Sequence, residues 1–215
     1  MRRWYYRKMT ELYLTGYCCI KDYRVTVNEE VLYTSGAATF GKFMQELYGF
    51  TKTNYPKFYK MDNQCKLGVM AAELLLAKTS LLAAYSGEEI GVVLSNSVAS
   101  EPADRQYFET IADPDDYFPS PALFVYTLPS TITGEICIRH KFKGENAFFI
   151  TDAFDADLLE SYIQYLLKNT NTQACLGGWV NYDETAFDAF LFTVEPIPGR
   201  YREPLNSTLL NQLYA

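Results

Sequence analysis

The chain predicts an α/β protein. Two observations carry that reading. Short apolar runs with the pattern of buried strands recur, as in EEIGVVLSNS at 88–97. Between them lie longer stretches with apolar residues at helical spacing, as in Leu158, Leu159, Tyr162, Ile163 and Leu166.

Taken in order, residues 11–20, ELYLTGYCCI, predict a first strand that closes at Lys21 and Asp22. Residues 34–50 predict a loop, punctuated by Gly36, Gly41 and Gly49. MDNQCKLGVMAAELLLAKT, from 61 to 79, predicts a helix with Asp62 as its N-cap. Apolar residues nearly encircle that helix, so it packs on more than one side. Residues 88–97 form the next strand, 103–112 a short helix and 112–124 a Pro-rich loop.

TLPSTITGEICIRHKFKG, from 127 to 144, predicts a helix that starts at Ser130 or Thr131, with Pro129 near its head. Gly134 permits close approach of another backbone, and Gly144 stops the helix. A strand at 147–151 runs through a tight acidic turn into a helix at 156–168. ACLGGWVNY and AFDAFLFTVEP are two further strands, and 196–215 ends as a short apolar helix or tail. Length and continuity predict one domain over 1–215, its core at about 12–195.

Composition narrows the function classes. The 215 residues are 48% hydrophobic and 21% charged, ordinary for a soluble globular protein. The net charge of −7, with no basic run beyond Arg2–Arg3 and Arg7–Lys8, argues against nucleic-acid binding. Aromatic residues reach 16%, which fits an interface-rich surface or a Tyr-rich core. The cysteines, Cys18, Cys19, Cys65, Cys137 and Cys175, are odd in number and form no CxxC. They read as reduced, buried side chains of a cytoplasmic protein. No apolar run is long enough to span a bilayer, and no signal peptide is expected.

A single histidine, His140, leaves no zinc site of several His and no triad that does not rest on it. It reads as a partly exposed or capping residue. There is no GxGxxG, GxxxxGK[ST] or HExxH, and no cofactor or metal is expected. The glycine pair of LGGWV reads as a strand end at a tight turn. Asp152, Asp155 and Asp157 read as helix-capping carboxylates, with acid–base work or cation binding as the sharper alternative.

In many α/β enzymes a strand-to-helix elbow such as 148–167 carries a nucleophile at its tip. Here the tip is Asp152-Ala153-Phe154-Asp155. Phe154 has no ionisable group and no lone pair, so it can do no covalent catalysis.

Several segments, in order, resemble the N-terminal half of a β-ketoacyl synthase, a member of the thiolase fold. YLTGY resembles that family's opening strand. YPKFYKMDNQCKLGVMAAELLL resembles its early helix, and IGVVLSNSVAS the strand and turn that follow. SPALFVYTLPSTITGEICIRHKFKG resembles its "mPn..aG" helix, with Pro129, Gly134 and Gly144 at matching places. ENAFFITDAFDADLLESYIQYLLKNTNTQACLGGWVNY resembles the segment that holds the catalytic cysteine. The resemblance covers about residues 12–195.

The resemblance implies a thiolase-like half: a mixed, mostly parallel sheet with helices on both faces. Thr151-Asp152-Ala153-Phe154 falls on the family's STAC, so Phe154 stands at the cysteine position. No His follows it, whereas the family's two catalytic histidines lie far downstream. Chain length factors are family members that lack the cysteine, pair with an active ketosynthase and shape its acyl tunnel. Gln is their usual residue at that position. Short chains of this kind are associated with aryl-polyene and flexirubin-type pigment pathways.

The resemblance therefore implies a silent subunit of a heterodimer in fatty-acid or polyketide assembly. Phe154, Thr127, Leu128 and Ile132 would line the pocket or tunnel. Ala147, Phe148, Phe149, Ile150 and Thr151, with Pro129 and Gly134, would meet the partner. A lone half is also expected to bare an apolar face, a mark of an interface. An acidic acyl carrier protein would need a basic dock, for which Arg139, Lys141 and Lys143 are candidates. Two alternatives stay open: an enzyme with chemistry relocated to Asp152, Asp155 or Cys137, and a stand-alone acyl or carrier-protein binding module that homodimerises.

Overall fold

The computed structural model describes residues 11–197 and 203–215. Arg2–Arg3 and Arg7–Lys8 lie outside them. One mixed sheet organises the chain. Its strands are β1 (Tyr13–Lys21), β2 (Arg24–Val27), β3 (Glu30–Thr34), β4 (Ile90–Asn96), β5 (Asn146–Ile150), β6 (Ala174–Tyr182), β7 (Phe187–Glu195) and β8 (Glu203–Pro204). The spatial order is β3-β2-β1-β7-β6-β4-β5, with β8 paired to β1.

The α/β class holds, but the sheet is not mostly parallel. Only β4 runs parallel to its neighbours, β5 and β6. The other ladders, β1 with β2, β7 and β8, β2 with β3, and β6 with β7, are antiparallel. The linkers explain this. Asp22 and Tyr23 join β1 to β2 with φ of 50° and 59°, and Asn28 and Glu29 join β2 to β3 with φ of 49° and 70°. Such two-residue left-handed turns fold a strand back on its neighbour, whereas a parallel pair needs a long crossover.

Helices cover both sheet faces. On one side lie α1 (Phe40–Thr51), α2 (Asn63–Leu76) and the short α3 (Leu81–Ala84). After β4 come α4 (Glu101–Glu109), the one-turn α5 (Pro121–Phe124) and α6 (Thr131–His140). α7 (Ala156–Asn169) and α8 (Ser207–Tyr214) follow β5 and β8. α1, α2 and α6 bury one core cluster with Phe43, Leu67, Met70 and Ile136, while α7 and α8 bury the other with Leu159, Ile163, Phe190 and Leu210.

α1 corrects the expected loop at 34–50. Phe40, Phe43, Met44 and Leu47 fall at i, i+3, i+4 and i+7 and are all buried. Gly41 and Gly49 sit inside the helix in open space, so they punctuate nothing. α2 starts where expected: the Asp62 carboxylate accepts from the Cys65 amide at 2.9 Å. α6 ends earlier than expected, at His140. Lys141 adopts the left-handed conformation at φ 61°, and the Phe142 amide donates to the Cys137 carbonyl. Gly144 instead lies against the Ile90 backbone.

The LGGW pair sits in the middle of β6, not at its end. A Cβ at Gly177 would press on Ile163 of α7 and on the Phe192 ring, so the glycine lets α7 lie close on the sheet. The outer side of α7 carries Asp157, Ser161, Gln164 and Lys168, all exposed. Tyr165 beside them is 57% exposed as well. Residues 203–215 join the fold: β8 pairs with β1, and Leu210 of α8 is fully buried.

Candidate functional site

The elbow after β5 is built as the sequence predicts. β4 and β5 run side by side to Asn96 and Ile150, and the Thr151 amide donates to the Asn96 carbonyl at 2.9 Å. The Thr151 hydroxyl donates to the Ala153 carbonyl at 2.8 Å and tightens the turn. The Asp155 carboxylate then accepts from the Leu158 amide at 2.9 Å, which makes it the N-cap of α7. Asp152 and Asp157 are exposed.

Phe154, at the tip, is half-buried in an aromatic cluster. Its ring lies 4.4 Å from Tyr214, 5.5 Å from Phe190 and 6.5 Å from Trp179, centroid to centroid. Tyr214 belongs to α8, and its hydroxyl donates to Asp188 at 2.7 Å. α8 is held in turn by Glu160, which accepts from the Ser207 amide at 2.6 Å. The position beside the elbow is thus filled by this chain's own last helix.

Burial pushes the Cys19 thiol up to about 12 and the Cys137 thiol up to about 11, and drives Cys18, Cys65 and Cys175 upward as well. A thiol so raised is almost entirely protonated at neutral pH. Among the described residues, no group of three or more His, Cys, Asp or Glu side chains could hold a metal ion, and no helix is long and apolar enough to cross a membrane.

The expected pocket residues do not converge. Ile132 is buried under α6 against Gly68 of α2, in the core on the far side of the sheet from Phe154. Thr127 caps its own turn on the Phe124 carbonyl, and Leu128 is 59% exposed. The expected interface residues do share one region. Among the described residues β5 pairs only with β4 and is the last strand of the sheet, so no described strand covers its outer edge. Ala147, Phe148 and Phe149 are half-buried and Ile150 is exposed, while Gly134 faces open space.

The basic candidates fare unequally. The Arg139 guanidinium is paired with Glu73 and lies 4.8 Å over the Tyr55 ring. Lys143 pairs at the surface with Glu88 at 3.1 Å, and Lys141 is exposed at the end of α6. His140 lies partly exposed in the last turn of α6, its side chain 8% exposed, with Nε2 3.5 Å from Glu73. Burial, helped by the Arg139 charge and opposed by Glu73, holds its pKa below the usual 6.5.

Sequence reasoning did not single out the apolar surface between α4 and α6. Phe108, Tyr117, Phe118, Phe124, Val125 and Leu128 are all at least half exposed. Ser100 ties this region to the end of β4 by donating to the Thr127 carbonyl at 2.9 Å.

No protein-family model matches the sequence, and no curated protein matches it. The backbone does match solved structures. One is the ishigamide ketosynthase/chain length factor, with 18% identity and a TM-score of 0.68 over 91% of this chain and 64% of that one. The fold is that of ketosynthases and their chain length factors. The ketosynthase (ApeO) in complex with its chain length factor (ApeC) from Xenorhabdus doucetiae has 12% identity and a TM-score of 0.56, over 88% of this chain and 80% of that one. A β-ketoacyl synthase from Burkholderia phymatum STM815 has 11% identity and a TM-score of 0.59, over 96% of this chain and 62% of that one. The chain therefore spans about two thirds of the length of several structures that share the ketosynthase fold.

Proposed function

We propose that the chain is a catalytically silent, chain-length-factor-like subunit. It pairs with an active β-ketoacyl synthase in fatty-acid or polyketide assembly of the aryl-polyene or flexirubin type, and it shapes the acyl tunnel of the pair. One observation carries this reading. A strand-to-helix elbow follows β5, and its tip, the position the resemblance aligns with the family's cysteine, is a phenylalanine packed among aromatic rings. Without a thiolate at the tip or imidazoles beside it, the elbow can neither carry an acyl chain nor stabilise the carbanion of decarboxylative condensation.

The open edge of β5 and the exposed apolar surface next to it support a partner-bound state. In this reading the partner pairs along Ala147–Thr151 and packs on Leu128, Pro129 and Gly134. Thr127 lies beside that contact, and Ile132 acts from beneath by fixing α6. Phe154 plugs the vestigial pocket. A carrier protein would meet Lys141 and Lys143, whose pair with Glu88 is exposed, rather than Arg139, which the mostly buried Glu73 holds.

The test is co-expression of the tagged chain with a candidate active ketosynthase from the same genome, followed by the mass of the purified species from light scattering. A stable one-to-one complex is expected. A well-behaved monomer or homodimer that ignores every ketosynthase offered would overturn the proposal.

A further inference from the structure

The end of the sheet where β4 and β5 run out carries a charge pattern that the proposed function does not use. Residues 101–128 hold Glu101, Asp104, Glu109, Asp113, Asp115 and Asp116 against a single base, Arg105. Asp152, Asp155 and Asp157 of the elbow lie at the same end of the sheet. Asp183 and Glu184, just after β6, join them, and Arg105 reaches Glu184 at 3.6 Å. Arg105 is shared between Glu101 and Glu184, so its charge is already spent. Among the described residues, lysines lie on the neighbouring α2 side. There Lys57 is taken up by the buried Glu135 at 2.7 Å, which leaves Lys60 and Lys66.

The acids are interleaved with the exposed apolar side chains. Glu109 follows Phe108, and Asp115 and Asp116 precede Tyr117 and Phe118, the last 78% exposed. Apolar surface of this kind calls for a cover. The acids around it decide which cover fits. A closed pair of identical chains sets the same face against itself across a two-fold axis. Here that places an acidic rim against an acidic rim, and the repulsion grows as water leaves.

We infer that this face excludes a second copy of the chain and selects a different polypeptide, one that presents basic residues around an aliphatic patch. The inference rests on the proposed subunit role and adds the chemistry of the partner surface. Lysine and arginine on the partner would sit between the carboxylates, steering encounter over long range, while Phe108, Phe118 and Phe124 fill its apolar pockets.

Two measurements on the full chain test this. The first is sedimentation of the chain alone, wild type and the triple variant Glu109→Gln, Asp115→Asn, Asp116→Asn. All three positions are exposed, and circular dichroism checks that the fold is kept. Between about 0.1 M and about 1 M salt the Debye length falls from about 10 Å to about 3 Å. Self-association that is weak at low salt and rises with salt and with the triple substitution is expected. A homodimer that is tightest at low salt, or is indifferent to the substitution, would overturn the inference. The second is the association rate with a candidate active ketosynthase from the same genome. It should fall about tenfold with added salt and with the triple variant, with little change in dissociation. Binding insensitive to both overturns the inference and leaves the subunit role standing. If no ketosynthase binds at all, the subunit role falls, and the first measurement still decides whether the face rejects its own copy.

Discussion

The Tyr214 ring packs 4.4 Å from the ring of Phe154, and the Tyr214 hydroxyl donates to Asp188 at 2.7 Å. A residue of the last helix and the residue at the elbow tip thereby form one unit, pinned by a hydrogen bond to β7. Phe154 is then a packing residue, and its variants are judged by stability before chemistry.

Phe154→Ala is expected to cost about 2 kcal/mol, below the usual range for a fully buried Phe because the ring is only half-buried. Tyr214→Ala should cost a similar amount. The double variant should cost less than the two together by about 1 kcal/mol, since each ring loses the same neighbour. Urea denaturation of the four proteins checks this. Phe154→Cys alone should give no condensation with malonyl and acyl carrier-protein substrates, and measurable turnover would contradict a silent elbow.

Arg139→Ala should destabilise the chain by about 1–2 kcal/mol, because it strands the mostly buried Glu73 carboxylate without its main partner. Lys143→Ala, whose partner Glu88 is exposed, should change stability by less than about 0.5 kcal/mol. The contrast in urea midpoints separates a structural cation from a surface one.

His140 gives an acid-side slope to stability. Its folded pKa lies below the unfolded 6.5, so the unfolded chain takes up the proton first as pH falls. The contribution is complete above 6.5 and is lost as pH drops through the lowered folded value. Denaturation midpoints measured from neutral pH downward should fall for wild type and flatten in His140→Gln. Glu73, Arg139 and Lys141 line the same cleft and should be unchanged in that variant.

Ile150→Asp should leave the isolated fold within about 0.5 kcal/mol of wild type, since the side chain is 57% exposed on the outermost strand. The same change should weaken the complex with a ketosynthase by more than tenfold. Calorimetric binding that matches wild type would remove the β5 edge from the interface.

Much of the fold is legible in the sequence because it is written in local pattern. β6 and β7 are bounded by the expected runs, and Asp62 and Asp155 cap the helices they precede. What was hidden depended on other signals. β2 and β3 are short and join through Asp22-Tyr23 and Asn28-Glu29, which lack the glycine that usually marks such turns. α1 carried a clear helical period, but its two glycines argued louder than they should have. The elbow was readable from Phe154 outward. Its cover was not, because nothing in STLLNQLY says that Tyr214 will close over a residue 60 positions earlier.

The open margin of β5 also bears on how the chain fares in a cell. Asn146–Ile150 is short but unguarded: it holds no lysine and no proline, and no strand of the described residues pairs along its outer side. An orphan copy would offer that strand to any other extended segment, which makes it a substrate for chaperones and proteases, or a seed for aggregates. If the proposed partner exists, matched synthesis of the two chains would keep the edge occupied. In the proposed pair, the strand that meets the partner would thus also report when that partner is missing.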